Sequence, residues 1–147
     1  MLQNIFIVMV SMAVVAGCTS GKPGCLGMQD GKLLPCPSTP NCVSSQSRDS
    51  THFVEPLRFE GTAAEAKKGL ISVVTSMKRT RMVSEKKNYL HMEYRSAFFR
   101  FVDDVEFLID NKNKLIHIRS ASRVGYSDLG VNRRRAEKIR KRFNEFR

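Results

Sequence analysis

A chain of 147 residues is long enough for one ordinary domain and too short for two. Its hydrophobic content of 41%, with nine Phe, is enough to build a core and excludes wholesale disorder. The formal net charge of +11 points to anionic partners: nucleic acid, acidic lipid head groups or anionic glycans.

The N-terminal residues have the pattern of a bacterial export signal. Residues 1–17 contain no acidic or basic side chain, and a helix over the apolar run at 5–17 would rise roughly 20 Å, short of the roughly 30 Å hydrocarbon core. Residues 15–18, VAGC, resemble the lipobox of bacterial lipoproteins, in which the cysteine receives acyl chains and the chain is cut before it. We therefore predict a lipoprotein signal peptide at 1–17 and an acyl anchor, such as diacylglycerol with palmitate, on Cys18.

This anchor sets the expected location and partners. It places the protein in the bacterial cell envelope, facing the periplasm, and Thr19, which is not Asp, favours the outer membrane if the cell is Gram-negative. An exported lipoprotein rarely meets nucleic acid, so we exclude that partner class. The expected partners are the membrane, through the N-terminal lipid anchor, and an anionic lipid, a glycan or a protein.

Residues 18–51 are interpreted as a lipid-anchored tether and a stapled loop, because they are rich in Gly, Pro and Ser and show no apolar period. Cys36 and Cys42 are the favoured disulfide pair, since they enclose two prolines in a short loop. Pairing of Cys25 with either of them stays open, and one thiol is left over in every case. No fourth ligand has a spacing that suits zinc, so we predict no metal site.

Residues 52–147 are predicted to form a single α+β domain. Residues 52–59 alternate as a strand, and Pro56 favours an edge position. Thr62 and Glu65 form a capping box that opens a helix running to about Met77. Four more strands are predicted at 79–85, 89–95, 98–109 and 114–122. Within the third of these, Asp103-Asp104 breaks the alternation and suggests a bulge.

The last helix begins after Ser127 or Asp128, either of which is a good N-cap. Its apolar stripe at alternating spacings of three and four comprises Leu129, Asn132, Ala136, Ile139, Phe143 and Phe146. The order β-α-β-β-β-β-α predicts an antiparallel sheet of about five strands with both helices packed on one face.

The junction between the last strand and the last helix holds the candidate binding residues. Unpaired N–H groups and the dipole at the start of a helix favour an anion. The anion-binding candidates near this helix start are Arg119, Ser120, Ser122, Arg123, Asn132 and Arg133. In the competing hypothesis the arginines at 119, 123 and 133 are neutralised within a structural polar network by three carboxylates, Asp103, Asp104 and Asp128.

The remaining faces of the last helix offer a third possible role, as a surface that interacts with an anionic partner. They carry a run of basic side chains that would suit anionic head groups near a lipid anchor. These residues are Arg133, Arg134, Arg135, Lys138, Arg140, Lys141 and Arg142.

The predicted function is a binding or scaffold domain for an anionic envelope component or a protein partner. The alternative is a hydrolase using Asp103, Asp104 and the cluster at 119–123. However, adjacent residues of a regular strand point to opposite faces, so the two carboxylates act on one atom only if a bulge turns one of them. A Ser-His-Asp triad can be drawn from Ser120 or Ser122 with His117 and Asp103, but no nucleophile-elbow sequence supports it. We therefore assign no catalytic residue and no cofactor.

Three separated motifs occur in order: CPSTPNCVSS at 36–45, FVDDV at 101–105 and RSASRVGYSDLGVN at 119–132. Together they resemble the DUF1499 family, a group of bacterial envelope and plastid proteins of unknown function, and the similarity covers the chain from Leu26 onward. The resemblance implies a shared fold and an exported or membrane-linked setting. It implies no reaction, cofactor or catalytic residue.

Overall fold

The computed structural model describes residues 25–146, so the predicted signal peptide at 1–17 and the predicted lipidation site Cys18 lie outside the described residues. The elements in chain order are β1 (Met28–Gln29), β2 (Lys32–Leu33), β3 (Cys42–Ser44), β4 (Leu57–Arg58), α1 (Ala63–Thr75), β5 (Thr80–Glu85), β6 (Tyr89–Arg95), β7 (Val102–Asp110), β8 (Leu115–Ser122) and α2 (Val131–Glu145). No helix in this described part is long and apolar enough to cross a bilayer.

Six strands form one antiparallel sheet, five of them in the order β3-β8-β7-β6-β5 and the sixth, β4, off this path. Strand β4 pairs with β8 as well, because β8 is long enough to hold β3 opposite its C-terminal half and β4 opposite its N-terminal end. Strands β1 and β2 form a separate two-stranded sheet. The predicted α+β class, with a mostly antiparallel sheet and two helices, is confirmed.

Both helices contribute to one hydrophobic core on the same face of the sheet. The capping box of α1 is present: Glu65 N–H donates to Thr62 Oγ1 (3.2 Å), and Thr62 N–H donates to Glu65 Oε2 (3.0 Å). The buried core side chains include, from the helices, Leu70, Val73, Val74, Ala136, Ile139 and Phe143, and, from the strands, Leu90, Met92, Val105, Phe107, Ile116 and Ile118. We call this the helix face of the sheet and the opposite side the outer face.

The start of α2 differs in detail from its prediction. The N-cap residue is Gly130, with a φ of 76° that favours glycine. Asp128, two residues before the N-cap, still caps the helix: its carboxylate accepts hydrogen bonds from the backbone N–H groups of Gly130 (2.8 Å) and Asn132 (2.7 Å). The two ends of the predicted apolar stripe, Leu129 and Phe146, are exposed.

The N-terminal half contains more of the sheet than its composition suggested. Strand β3 lies inside the stretch interpreted as an irregular loop, and it is buried against β8. In the predicted strand at 52–59 only Leu57–Arg58 pairs as a strand, together with an isolated bridge at Phe53. The predicted disulfide between Cys36 and Cys42 is confirmed, and it ties the start of β3 to the preceding loop.

The predicted bulge at Asp103-Asp104 is wrong. Strand β7 pairs with β8 in unbroken register from Asp103 to Asp110, and the irregularity lies between Met82 and Ser84 of β5 instead. Regular alternation therefore sends Asp103 to the helix face and Asp104 to the outer face.

Candidate functional site

The six candidate anion-binding residues do not converge on one point. Alternation along β8 places Ser120 and Ser122 on the helix face, where both contact Asn132 of α2. Arg119 and Arg123 point to the outer face, where they pair with Glu106 and Asp104. The sheet itself therefore separates the two halves of the predicted site.

Arg119 is held in a buried cluster on the outer face. Its Nη1 donates to Glu106 Oε2 at 2.8 Å, and the two side chains are 2% and 0% exposed. Oε1 of Glu106 accepts from the Tyr89 hydroxyl (2.7 Å) and from Gly27 N–H (2.5 Å). Burial, followed by the charge of Glu106, raises the pKa of Tyr89, so its hydroxyl stays a donor. Among the described residues, Arg119 Nε is the one buried side-chain N or O atom without a hydrogen-bond partner.

A second cluster on the outer face is centred on Asp104. Arg123 donates to both oxygens of this carboxylate at 2.8 Å, and His91 Nε2 lies 2.7 Å from it. Arg123 also donates to Glu93 (2.6 Å), which in turn accepts from Arg81. Burial alone would raise the pKa of Asp104, but the hydrogen bonds and charges of Arg123 and His91 hold it below its ordinary value. The expected pairing of Asp104 with Arg123 is thus present.

The remaining pairings differ from the expected network. On the helix face Asp103 accepts from Arg135 (2.6 Å), a residue outside the candidate set. Asp128 accepts from backbone N–H groups, as described above. Arg133 donates to the backbone carbonyls of Phe53 (2.6 Å) and Thr51 (2.7 Å), so it fastens α2 to the segment before β4.

The residues proposed for a hydrolase are also kept apart. Asp103 and Asp104 lie on opposite faces, and His117 contacts neither of them. Instead His117 Nδ1 lies 3.3 Å from Ser45 Oγ, and its Nε2 lies 3.9 Å from Asp110 Oδ2. This Ser-His-Asp arrangement was missed from the sequence, because Ser45 is 72 positions from His117.

The Ser45 arrangement has a structural role. Ser45 Oγ accepts from Ile118 N–H (2.9 Å), so the hydroxyl joins the chain after β3 to β8. Asp110 accepts three hydrogen bonds within its own turn, from Lys112 and Asn113, and 3.9 Å to the imidazole is too long for a hydrogen bond. Burial lowers the pKa of His117, and the charge of Asp110 only partly opposes this.

A basic groove lies between the end of α1, the end of β6 and the exposed side of α2. Its cavity of about 620 Å³ is lined by seven basic side chains and no carboxylate. The basic residues of this groove are Lys78, Arg79, Arg95, Arg134, Arg135, Lys138 and Arg142. Arg135 pairs with Asp103, and its guanidinium stacks 5.0 Å from the centre of the Tyr94 ring. The other six form no ion pair with any residue in the range 25–146.

Sequence reasoning found four of the seven basic residues of this groove. The basic faces of the last helix supplied Arg134, Arg135, Lys138 and Arg142. Lys78, Arg79 and Arg95 were missed, since they come from two other segments, and nothing local shows that the short basic run at 78–81 lies beside the last helix. The groove is electropositive because like charges share one concave surface, where field lines concentrate.

No group of three His, Cys, Asp or Glu side chains within residues 25–146 is placed to hold a metal ion. No curated protein matches the chain. A family described as "Protein of unknown function (DUF1499)" matches residues 32–143, which include every strand of the six-stranded sheet and all of α1. The chain therefore belongs to the DUF1499 family.

Proposed function

We propose that the protein is a lipid-anchored module of the cell envelope that binds an anionic envelope component in the basic groove and performs no catalysis. The observation that carries this proposal is the set of six basic groove residues that have no ion-pair partner in the described chain. Unpaired cations that share a cavity repel one another, and a bound polyanion would relieve that repulsion.

The chemistry of the groove favours phosphate or carboxylate groups. Five of its seven basic residues are arginines, whose planar guanidinium forms two parallel hydrogen bonds to such anions. A volume of about 620 Å³ has room for several anionic groups. Val131, the first residue of α2, also lines the groove, which follows the flank of that helix as far as Arg142.

The binding test uses inorganic polyphosphate as a phosphate probe and polygalacturonate as a carboxylate probe, with calorimetry at two salt concentrations. Arg134→Ala with Lys138→Ala removes two groove cations on one side of α2. At about 1 kcal/mol per cation, we expect roughly 30-fold weaker binding and a smaller salt dependence. The matched control, Lys68→Ala with Lys141→Ala, removes the same charge from exposed helix positions outside the groove. Equal losses in both pairs would refute a groove-specific site.

The anchor is tested separately in cells. Replacing Cys18 with Ser removes the thiol that would carry the acyl chains, and we expect the protein to leave the membrane fraction. Thr19→Ser is the matched control, because it changes the neighbouring residue and keeps the lipobox cysteine. Membrane retention of the Cys18→Ser variant equal to that of the control would rule out the lipid anchor.

A further inference from the structure

Exposed apolar side chains are concentrated at one end of the sheet. Of the ten large hydrophobic residues exposed in the described chain, seven lie within 98–101 and 124–131. We call the six that stand on the two loops the apolar tip: Phe98, Phe99, Phe101, Val124, Tyr126 and Leu129. Phe98 is 92% exposed and Leu129 is 84% exposed, so these side chains contribute nothing to the core.

The topology brings the two loops of the apolar tip together. Strand β7 begins where β8 ends, with Asp103 opposite Ser122, and Arg123 N–H donates to Val102 C=O just beyond that pair. The first loop is closed at its base by a hydrogen bond from Ser96 N–H to Phe101 C=O (2.9 Å). The two loops therefore emerge side by side at the same end of the sheet, each with exposed apolar side chains.

Three basic residues adjoin the apolar tip. Arg100 lies within the first loop, and Arg95 and Arg134 of the basic groove border it. The first loop contains no acidic residue, and the one carboxylate of the second loop, Asp128, is occupied in capping α2. Aromatic and aliphatic side chains flanked by arginines are the composition of surfaces that lie in the boundary between lipid head groups and acyl chains.

We propose that the apolar tip docks on a bilayer containing anionic lipids, with its aromatic side chains at the head-group boundary and the basic groove facing lipid phosphates. This inference rests on the proposed function, since it names the anionic component that the groove meets. The partner is a lipid surface because the predicted anchor and the tip can reach the same bilayer.

The length of the tether supports this geometry. Seven peptide units separate Cys18 from Cys25 and span at most roughly 25 Å. Gly27 is hydrogen-bonded to Glu106, which lies four residues along β7 from Val102 at the tip end, a distance of roughly 13 Å. An anchored Cys18 can therefore lie in the plane that the tip contacts.

The absence of Trp from the sequence allows a direct test with the full-length protein. Phe98→Trp places a single fluorophore on the tip, and Asn111→Trp places one in the exposed turn at the opposite end of β7 without changing the charge. Each variant is mixed with phosphatidylglycerol–phosphatidylcholine vesicles whose acyl chains carry bromine. We expect blue-shifted, bromine-quenched emission from Phe98→Trp and neither effect from Asn111→Trp. Quenching should weaken in phosphatidylcholine alone and at high salt.

Two outcomes overturn the docking proposal. The first is quenching of Phe98→Trp no greater than that of Asn111→Trp. The second is a blue shift without bromine quenching, which would mean that a protein or a second copy of this chain covers the tip. Flotation of a Phe98→Ser, Phe99→Ser variant with pure phosphatidylcholine vesicles reports the acyl anchor alone. Phe98→Ser with Phe99→Ser should weaken binding to the phosphatidylglycerol–phosphatidylcholine vesicles while leaving polyphosphate binding unchanged, so failures of the tip, the anchor and the groove are distinguishable.

Discussion

Replacing Arg119 with Met tests whether this buried arginine stabilises the fold or binds a ligand. Met has a similar length and no charge, so the change leaves the carboxylate of Glu106 buried with only the Tyr89 hydroxyl and Gly27 N–H as donors. Removing one partner of a buried ion pair costs about 3–5 kcal/mol. The variant also relieves the unpartnered Arg119 Nε, a penalty of about 1–3 kcal/mol in the wild type, so we expect the lower end of that range, about 3 kcal/mol.

The assay is unfolding by urea and by heat, each monitored by far-UV circular dichroism with the disulfide intact. A loss of about 3 kcal/mol corresponds to a fall in Tm of roughly 10–15 °C for a domain of this size. Adding Glu106→Gln to Arg119→Met should recover most of the loss, because the amide oxygen still accepts from Tyr89 and Gly27 while the buried charge is gone. Arg140→Met, which breaks a partly exposed pair with Glu137, is the matched control and should change stability by less than about 1 kcal/mol.

The result that would refute this reasoning is an Arg119→Met variant as stable as Arg140→Met. Loss of anion capture at unchanged stability would then assign Arg119 to a binding site. Failure of Glu106→Gln to restore stability would show that the loss comes from packing and not from the unpaired carboxylate.

Two further predictions concern the outer face and the disulfide. Because the pKa of Asp104 is lower in the folded protein than its ordinary value of 3.8, the unfolded chain binds more protons in acid. The stabilisation from Asp104 should therefore be complete above about pH 5 and be lost as the pH falls through the lowered pKa. Asp104→Asn should flatten this part of the plot of unfolding free energy against pH, and an unchanged slope would contradict the assignment. Reducing the bond between Cys36 and Cys42, or replacing both with Ser, should lower the free energy of unfolding by about 2 kcal/mol for so short a loop, and an unchanged urea midpoint would show that the loop is fixed by other contacts.

Much of the fold was predictable because its signals are local. The capping box at Thr62 depends on residues three apart, and the alternation of β6 and β8 depends on neighbours two apart. Strand β3 was missed for the opposite reason: three residues are too few to show a period, and they become a strand only by pairing with the edge of β8.

The candidate site was predicted less well, because its partners depend on register. Alternation correctly separates Asp103 from Asp104, but which carboxylate meets Arg119 depends on the β7–β8 hairpin. With the turn after Asp110 closed as observed, Glu106 lies directly opposite Arg119 on the outer face. Once the turn is placed, the sequence alone predicts that Glu106 and Arg119 are cross-strand neighbours of opposite charge.

The distribution of charge separates structural arginines from those available to a ligand. The sequence has 25 basic and 14 acidic residues, so an excess of positive charge is unavoidable and ion pairing cannot remove it. Buried carboxylates of the sheet form ion pairs with Arg119, Arg123 and Arg135, so these three arginines are not available to bind an anionic ligand. Self-repulsion alone would disperse the remaining cations over the surface. Six of them share one groove beside the exposed apolar tip, an arrangement that stability does not explain and that the proposed docking on an anionic lipid surface would.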